Sequence, residues 1–175
     1  KAGGSLKVNI EDVIQARAGN RESFELVYTA VAPDLYKVAL YTLGNSHDAE
    51  DVVSETFLEA YKGIRNLRDE NSFRPWIMEI LSVRCKRKIS DYIKGKGQLD
   101  IDELLDLSTG SDGQTERTEV LTAMEKLTPE ERTIVVLSVL QGYTIREIAQ
   151  ILSCPQGTVS SKLHRTLKKL RTMLS

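Results

Sequence analysis

Apolar residues recur along this chain at every third or fourth position, and no stretch alternates singly in the way of a half-buried strand. The spacing predicts a first helix over Ile10–Ala18, capped by Asn9, with Glu11 and Asp12 in the turn where the helix dipole favours acids. Gly19 ends it. Asn20 caps a second helix, whose Phe24, Val27, Tyr28 and Val31 share a face. Pro33 lacks a backbone N–H and is expected to kink or restart that helix. Leu35, Val38, Ala39 and Thr42 continue the stripe to Gly44. A third helix opens at Ser46 and runs to Gly63, with Ala49, Val52, Val53, Thr56, Phe57 and Ala60 inward. Beyond the polar loop Gly63–Asn71, a fourth is expected over about Phe73–Lys94, turning Trp76, Ile77, Ile80, Leu81, Ile89 and Ile93 inward.

Gly95–Gly97 should stop that helix, and Gln98–Gln114 reads as a linker rich in Ser, Gly and Asp. A helix over Thr115–Leu127 would bury Val120, Met124 and Leu127. Thr128, Pro129 and Glu131 give the next helix a cap, an N1 proline and a capping-box acid, and it should reach Gln141 before Gly142. Tyr143–Leu170 then has the pattern of a helix-turn-helix. Thr144 and Glu147 form a second capping box, with Ile145, Ile148, Ala149 and Leu152 on one face. Ser153 and Cys154 break the period, and Pro155 suits the first position of a new helix. Val159, Leu163, Leu167, Leu170 and Leu174 are expected to form its apolar stripe, opposite Gln156, Thr158, Ser161, Lys162 and Arg165. The fold class is therefore all-α: two small helical domains, 6–97 and 115–175, joined by an acidic linker, 98–114.

Composition narrows the picture little: 175 residues, 41% hydrophobic and 28% charged, suit a soluble globular chain. No run approaches the roughly 18 apolar residues that suggest a membrane span, so no membrane insertion is expected. The start, KAGGSLKVNIED, lacks the apolar core of a signal peptide, and its first residues, Lys1–Ser5, resemble a cloning remnant. Cys85 and Cys154 have no partners at metal-ligand spacing and fit ordinary reduced thiols of a cytoplasmic protein. Neither a metal nor a cofactor is expected, and no catalytic constellation stands out, so an enzyme is not expected.

Charge distribution changes the picture more than the net charge of −1. Lys1–Gln98 carries 15 basic and 14 acidic residues, Leu99–Glu119 carries 1 and 7, and Val120–Ser175 carries 8 and 4. Basic runs within the two flanking blocks suggest two contacts with one polyanion.

LTPEERTIVVLSVLQGYTIREIAQILSCPQGTVSSKLHRTLKKLR resembles region 4 of a bacterial sigma factor. Upstream, FELVY, DAEDVVSETF and FRPWI resemble region 2, in the right order. With only a short linker between them, the pair is similar to the extracytoplasmic-function (group IV) class. That resemblance implies a specificity subunit of core RNA polymerase, acting on promoter DNA and held in check by an anti-sigma factor. It implies that the acids Asp48, Glu50, Asp51, Glu55 and Glu59 face the polymerase. It implies that Arg65, Asn66, Arg68 and Asn71 of the loop, with Arg84, Lys86, Arg87 and Lys88, hold the melted minus-ten element. A flipped base costs a few kcal/mol to unstack, and stacking returns about 1–3 kcal/mol per base. Trp76 is expected in the core, not on that surface.

For the minus-thirty-five element, the resemblance points to Ser160, Ser161, Lys162 and Arg165 in the major groove, with Gln156 and Thr158 nearer the phosphates. Family members commonly have a basic residue where Ser160 stands and Arg where Lys162 stands, and Lys cannot form Arg's bidentate fork to guanine. The acidic linker would thread the polymerase's RNA channel, its leucines docking there. The alternative is a stand-alone helix-turn-helix regulator binding duplex operator DNA; an interaction protein would not need two basic patches.

Overall fold

The computed structural model describes residues 7–95 and 114–175; Lys1–Ser5 and the stretch 98–113 of the acidic linker, with the roles expected of them, lie outside the described residues. Every described element is a helix or a helical turn. The N-terminal domain comprises α1 (Ile10–Arg17), α2 (Arg21–Leu43), α3 (Ser46–Gly63) and α4 (Phe73–Gly95), with two 3₁₀ turns, Ile64–Asn66 and Glu70–Ser72, between α3 and α4. The C-terminal domain comprises α5 (Gln114–Glu125), α6 (Pro129–Val135), α7 (Ile145–Leu152) and α8 (Gln156–Leu174).

Local chemistry sets most of the boundaries. The side chains of Asn9, Asn20 and Asn45 accept bonds from the N–H groups of Glu11, Ser23 and Asp48, so each asparagine caps a helix. Both capping boxes form: Thr128 with Glu131, and Thr144 with Glu147, each pair bonding side chain to backbone in both directions. Gly44 closes α2 at φ 84°, a left-handed position where a Cβ would be strained.

Several expectations need correction. α2 does not restart at Pro33 but runs from Arg21 to Leu43, where burial of Val31 and Leu35 on either side outweighs one lost backbone bond. Pro155 caps α8 in extended conformation instead of opening it. Leu121, not Val120, faces the core from α5. Ile93 is 75% exposed because α4 outruns the core after Ile89. On α8 the buried line is Val159, Leu163, Thr166, Leu170 and Met173, leaving Leu167 and Leu174 exposed. A 3.6-residue period drifts off the strict four-residue spacing, so the seam passes to Thr166, whose hydroxyl is satisfied by the carbonyl of Lys162 at 2.7 Å.

After Val135 the helix widens into a π turn, Val136–Leu140, closed by a bond from the Gln141 N–H to the Val136 carbonyl. Gly142, at φ 74°, then turns the chain into α7. One apolar core runs from Val13 in α1 to Val159 in α8, so the two domains share it.

Candidate nucleic-acid interface

The loop between α3 and α4 is pinned from below. Ile64 and Leu67 are buried, and Arg17 holds Glu70 at 2.9 Å. That leaves Arg65, Asn66, Arg68 and Asn71 on the outer side, where sequence placed them. Asn71 bonds Asp69, whose carboxyl is held below its usual value by the backbone and side-chain N–H groups of Asn71. Arg65 lies across Gly19, close enough that a Cβ there would sit 3.2 Å from its guanidinium. Beside it opens a pocket of about 250 Å³, lined among others by Asn20, Phe24, Tyr61, Lys62 and Arg65. Phe24, Tyr28, Phe57 and Tyr61 form a cluster of rings packed partly edge-on and partly parallel, with Tyr61 partly in solvent. Sequence reading missed this pairing of an exposed aromatic ring with two cations, because Tyr61 fits the end of a core stripe equally well. Trp76 packs under Gly63 and beside Phe73, as a core residue should.

The acids of α3 and the cations of α4 do not form two separate faces. Arg84 bonds Glu59 at 2.8 Å and reaches Glu55 at 3.5 Å; Lys88 sits 3.5 Å from Asp48 and 3.4 Å from Asp51. Asp48 is 4% exposed and accepts bonds from Tyr92 and from Asn45, the latter at 2.7 Å. Burial by itself would raise its pKa, but the bonds from Tyr92 and Asn45 and the charge of Lys88 outweigh it and lower the value. Asp48 is therefore a staple between α3 and α4 and not part of an exposed acidic face. Glu50 is exposed, and Asp51, Glu55 and Glu59 keep part of their surface open to solvent. Of the four cations expected on a melted strand, Arg84 and Lys88 are thus tied to α3, and Lys86 donates to the Leu152 carbonyl at 3.3 Å. Arg87 is exposed with no partner among the described residues.

In the C-terminal domain, α7 and α8 meet through a turn in which Ser153 adopts the left-handed conformation, φ 52°. Val159 and Ile148 are fully buried between them. The first turns of α8 present Gln156, Ser160, Ser161 and Arg165 to solvent, with Thr158 half-buried. Lys162 is held by Glu130 at 2.7 Å, and Lys169 by Glu131 at 2.5 Å. The concave face where the two helices meet is lined also by Arg146 and Gln150 of α7, next to Gln156. Arg146 was not singled out from sequence, although a cation on the solvent face of the first helix of such a motif was a usable signal. In helix-turn-helix complexes that helix crosses the phosphate backbone.

Comparison with known proteins follows the same division. The family model for Sigma-70 region 2 matches residues 27–96, and that for Sigma-70, region 4, matches residues 117–170. The protein of Bacillus subtilis (strain 168) described as ECF RNA polymerase sigma factor SigW is 28% identical over 181 residues, covering 91% of this chain and 93% of its own. Among solved structures, CnrH in complex with the cytosolic domain of CnrY superposes with a TM-score of 0.71 at 21% identity, over 96% of this chain and 97% of that one. The sigma factor RpoE of Bartonella quintana, solved with the anti-sigma factor NepR, gives 0.68 at 20% identity, over 87% and 97%. At such identities the two structures speak for the fold, while the paired regions, in order and spanning most of the chain, speak for descent: this chain belongs to the sigma-70 family, in its extracytoplasmic-function class.

Proposed function

We infer that this sigma factor, which directs RNA polymerase to promoters, divides the work between two surfaces. The N-terminal loop and pocket take the opened minus-ten strand, and α8 takes the duplex minus-thirty-five element. The observation that best supports this is the loop itself. It is braced by Ile64, Leu67 and the Arg17–Glu70 pair, yet keeps Arg65, Asn66 and Arg68 in solvent. Rigid backbone with free donors is what capture of an unpaired base requires. Tyr61 offers a ring for stacking and Lys62 a charge for the adjoining phosphate. Arg87 extends the strand path along α4, whereas Arg84 and Lys88 brace α3. The polymerase contact then rests on Glu50, Asp51, Glu55 and Glu59. On α8, Ser160, Ser161, Lys162 and Arg165 read bases, with Gln156, Thr158 and Arg146 at the phosphates.

An anti-sigma factor is the expected regulator, as one accompanies the Bartonella relative, and the site of action is the cytoplasm, with core polymerase and promoter DNA as the other partners. Among the described residues, no helix is long and apolar enough to cross a membrane. The test is transcription reconstituted with core polymerase. Arg65→Ala with Arg68→Ala should abolish strand opening, read by permanganate footprinting, while polymerase binding persists. Asp51→Lys with Glu55→Lys should instead weaken polymerase binding itself. Normal opening by the first variant would refute the loop assignment.

A further inference from the structure

The turn between α1 and α2 shares the pocket beside the loop. Gly19, at φ 101°, carries the chain from one helix to the next, and the Arg65 guanidinium lies over it. The next residue is Asn20. Asn20 and Arg65 line the pocket of about 250 Å³ together with Phe24, Tyr61 and Lys62.

Asn20 is placed there by its work as a helix cap. Its Oδ1 accepts from the Ser23 N–H at 3.1 Å. That bond decides which half of the amide is left over. With the oxygen turned to the helix, Nδ2 is the open end, and it donates to no other group among the described residues. Arg65 likewise makes no hydrogen bond or ion pair among them. A guanidinium and an ammonium can only donate, and no carboxylate lines the pocket. The side chains that meet an incoming base edge are therefore donors, apart from the Tyr61 hydroxyl, which serves either way.

The four bases differ in what they offer to neighbouring donors. Guanine has N7 beside O6, and cytosine has N3 beside O2, so each presents two adjacent acceptors. Adenine sets its N6 amino group beside both N1 and N7, and thymine puts N3–H between O2 and O4. With either of the last two, a donor of the pocket would face another donor after both had shed water. A site built on hydrogen bonds rejects such a mismatch more strongly than an apolar site rejects a wrong size.

We propose that Asn20, a helix cap outside the loop, is a base-reading residue, and that with Arg65 it selects an unpaired guanine or cytosine at one position of the melted element. The proposal rests on the promoter-opening reading above and names the class of base that this site takes.

Holoenzyme reconstituted with core polymerase tests this on a promoter mapped by its transcript start and then randomised through the minus-ten element, with transcripts sequenced against input. The parent should enrich guanine or cytosine at least roughly five-fold over adenine and thymine at one melted position. Asn20→Ser keeps a capping oxygen but has no amide, so it should flatten that position and leave the others as in the parent. Asn20→Asp also keeps the cap and puts an acceptor where the donor stood, so adenine, through its N6 amino group, should rise there. Loss of fold lowers transcription from every sequence alike, so a change confined to one position reports on the pocket. Adenine or thymine enriched by the parent at every melted position would overturn the proposal. So would an Asn20→Ser profile that matches the parent or shifts equally at all positions, because Asn20 is then a cap alone. If the parent enriches no promoter at all, the sigma reading itself fails and the base assignment falls with it.

Discussion

Asp48 shows at the scale of one residue how a motif can mislead about role. Its place in DAEDVVSETF suggests a partner-facing acid, yet Tyr92, Asn45 and Lys88 converge on it. A carboxyl whose pKa is lowered on folding stabilises the native state above its unfolded value, near 3.8, and that contribution is lost as pH falls through the folded value. Asp48→Asn should therefore cost about 1–3 kcal/mol at neutral pH, and the gap from wild type should narrow as pH falls below 3.8, read by urea denaturation at each pH. Lys162 poses the opposite problem. Glu130 already holds it, so the acid competes with DNA for the cation. Glu130→Gln should raise affinity for minus-thirty-five duplex a few-fold in a mobility-shift titration. A fall instead would mean that Lys162 does not touch DNA. Neither pairing was readable in the sequence, because Asp48 and Tyr92 lie 44 residues apart and Glu130 and Lys162 lie 32 apart.

Elements were far more legible than such pairs. Asparagine caps, capping boxes and glycine stops are local chemistry, and they mark helix ends within a residue or two. Ile93 was misassigned because α4 is read as if its core-facing stripe continued to its tip, while Leu167 was misassigned because the 3.6-residue period carries the buried line past it to Thr166, Leu170 and Met173. The turn between α7 and α8 was placed by the break in period at Ser153 and Cys154, but not its backbone, since Ser153 takes a conformation usually left to Gly or Asn. Ser153→Gly should hold or improve stability, while Ser153→Val, β-branched at positive φ, should fall roughly 1–2 kcal/mol below it. Thermal melts of the two variants check this. Thr144→Ala, which removes a box that forms in both directions, should cost about 1 kcal/mol.

For the whole molecule, sequence supplied two domains and a linker but no hint that the domains share a core. Contacts between segments 90 residues apart, as from Arg132 to Thr42, follow from tertiary packing alone. A shared core predicts cooperative melting: the free chain should show one calorimetric transition. Thr42→Lys, which sets a second cation against Arg132, should split it into two; a single transition in that variant would mean that the seam contributes little to cohesion.

The π turn at Val136–Leu140 acts as a phase adjuster. An α-helix advances about 100° per residue, so the extra residue absorbed in that wide turn sets the heading of everything downstream by nearly a third of a revolution. Deleting Ser138 would restore an ordinary helix and swing the reading head of α8 around the axis of α6, as removing one tooth from a gear re-times the wheel it drives.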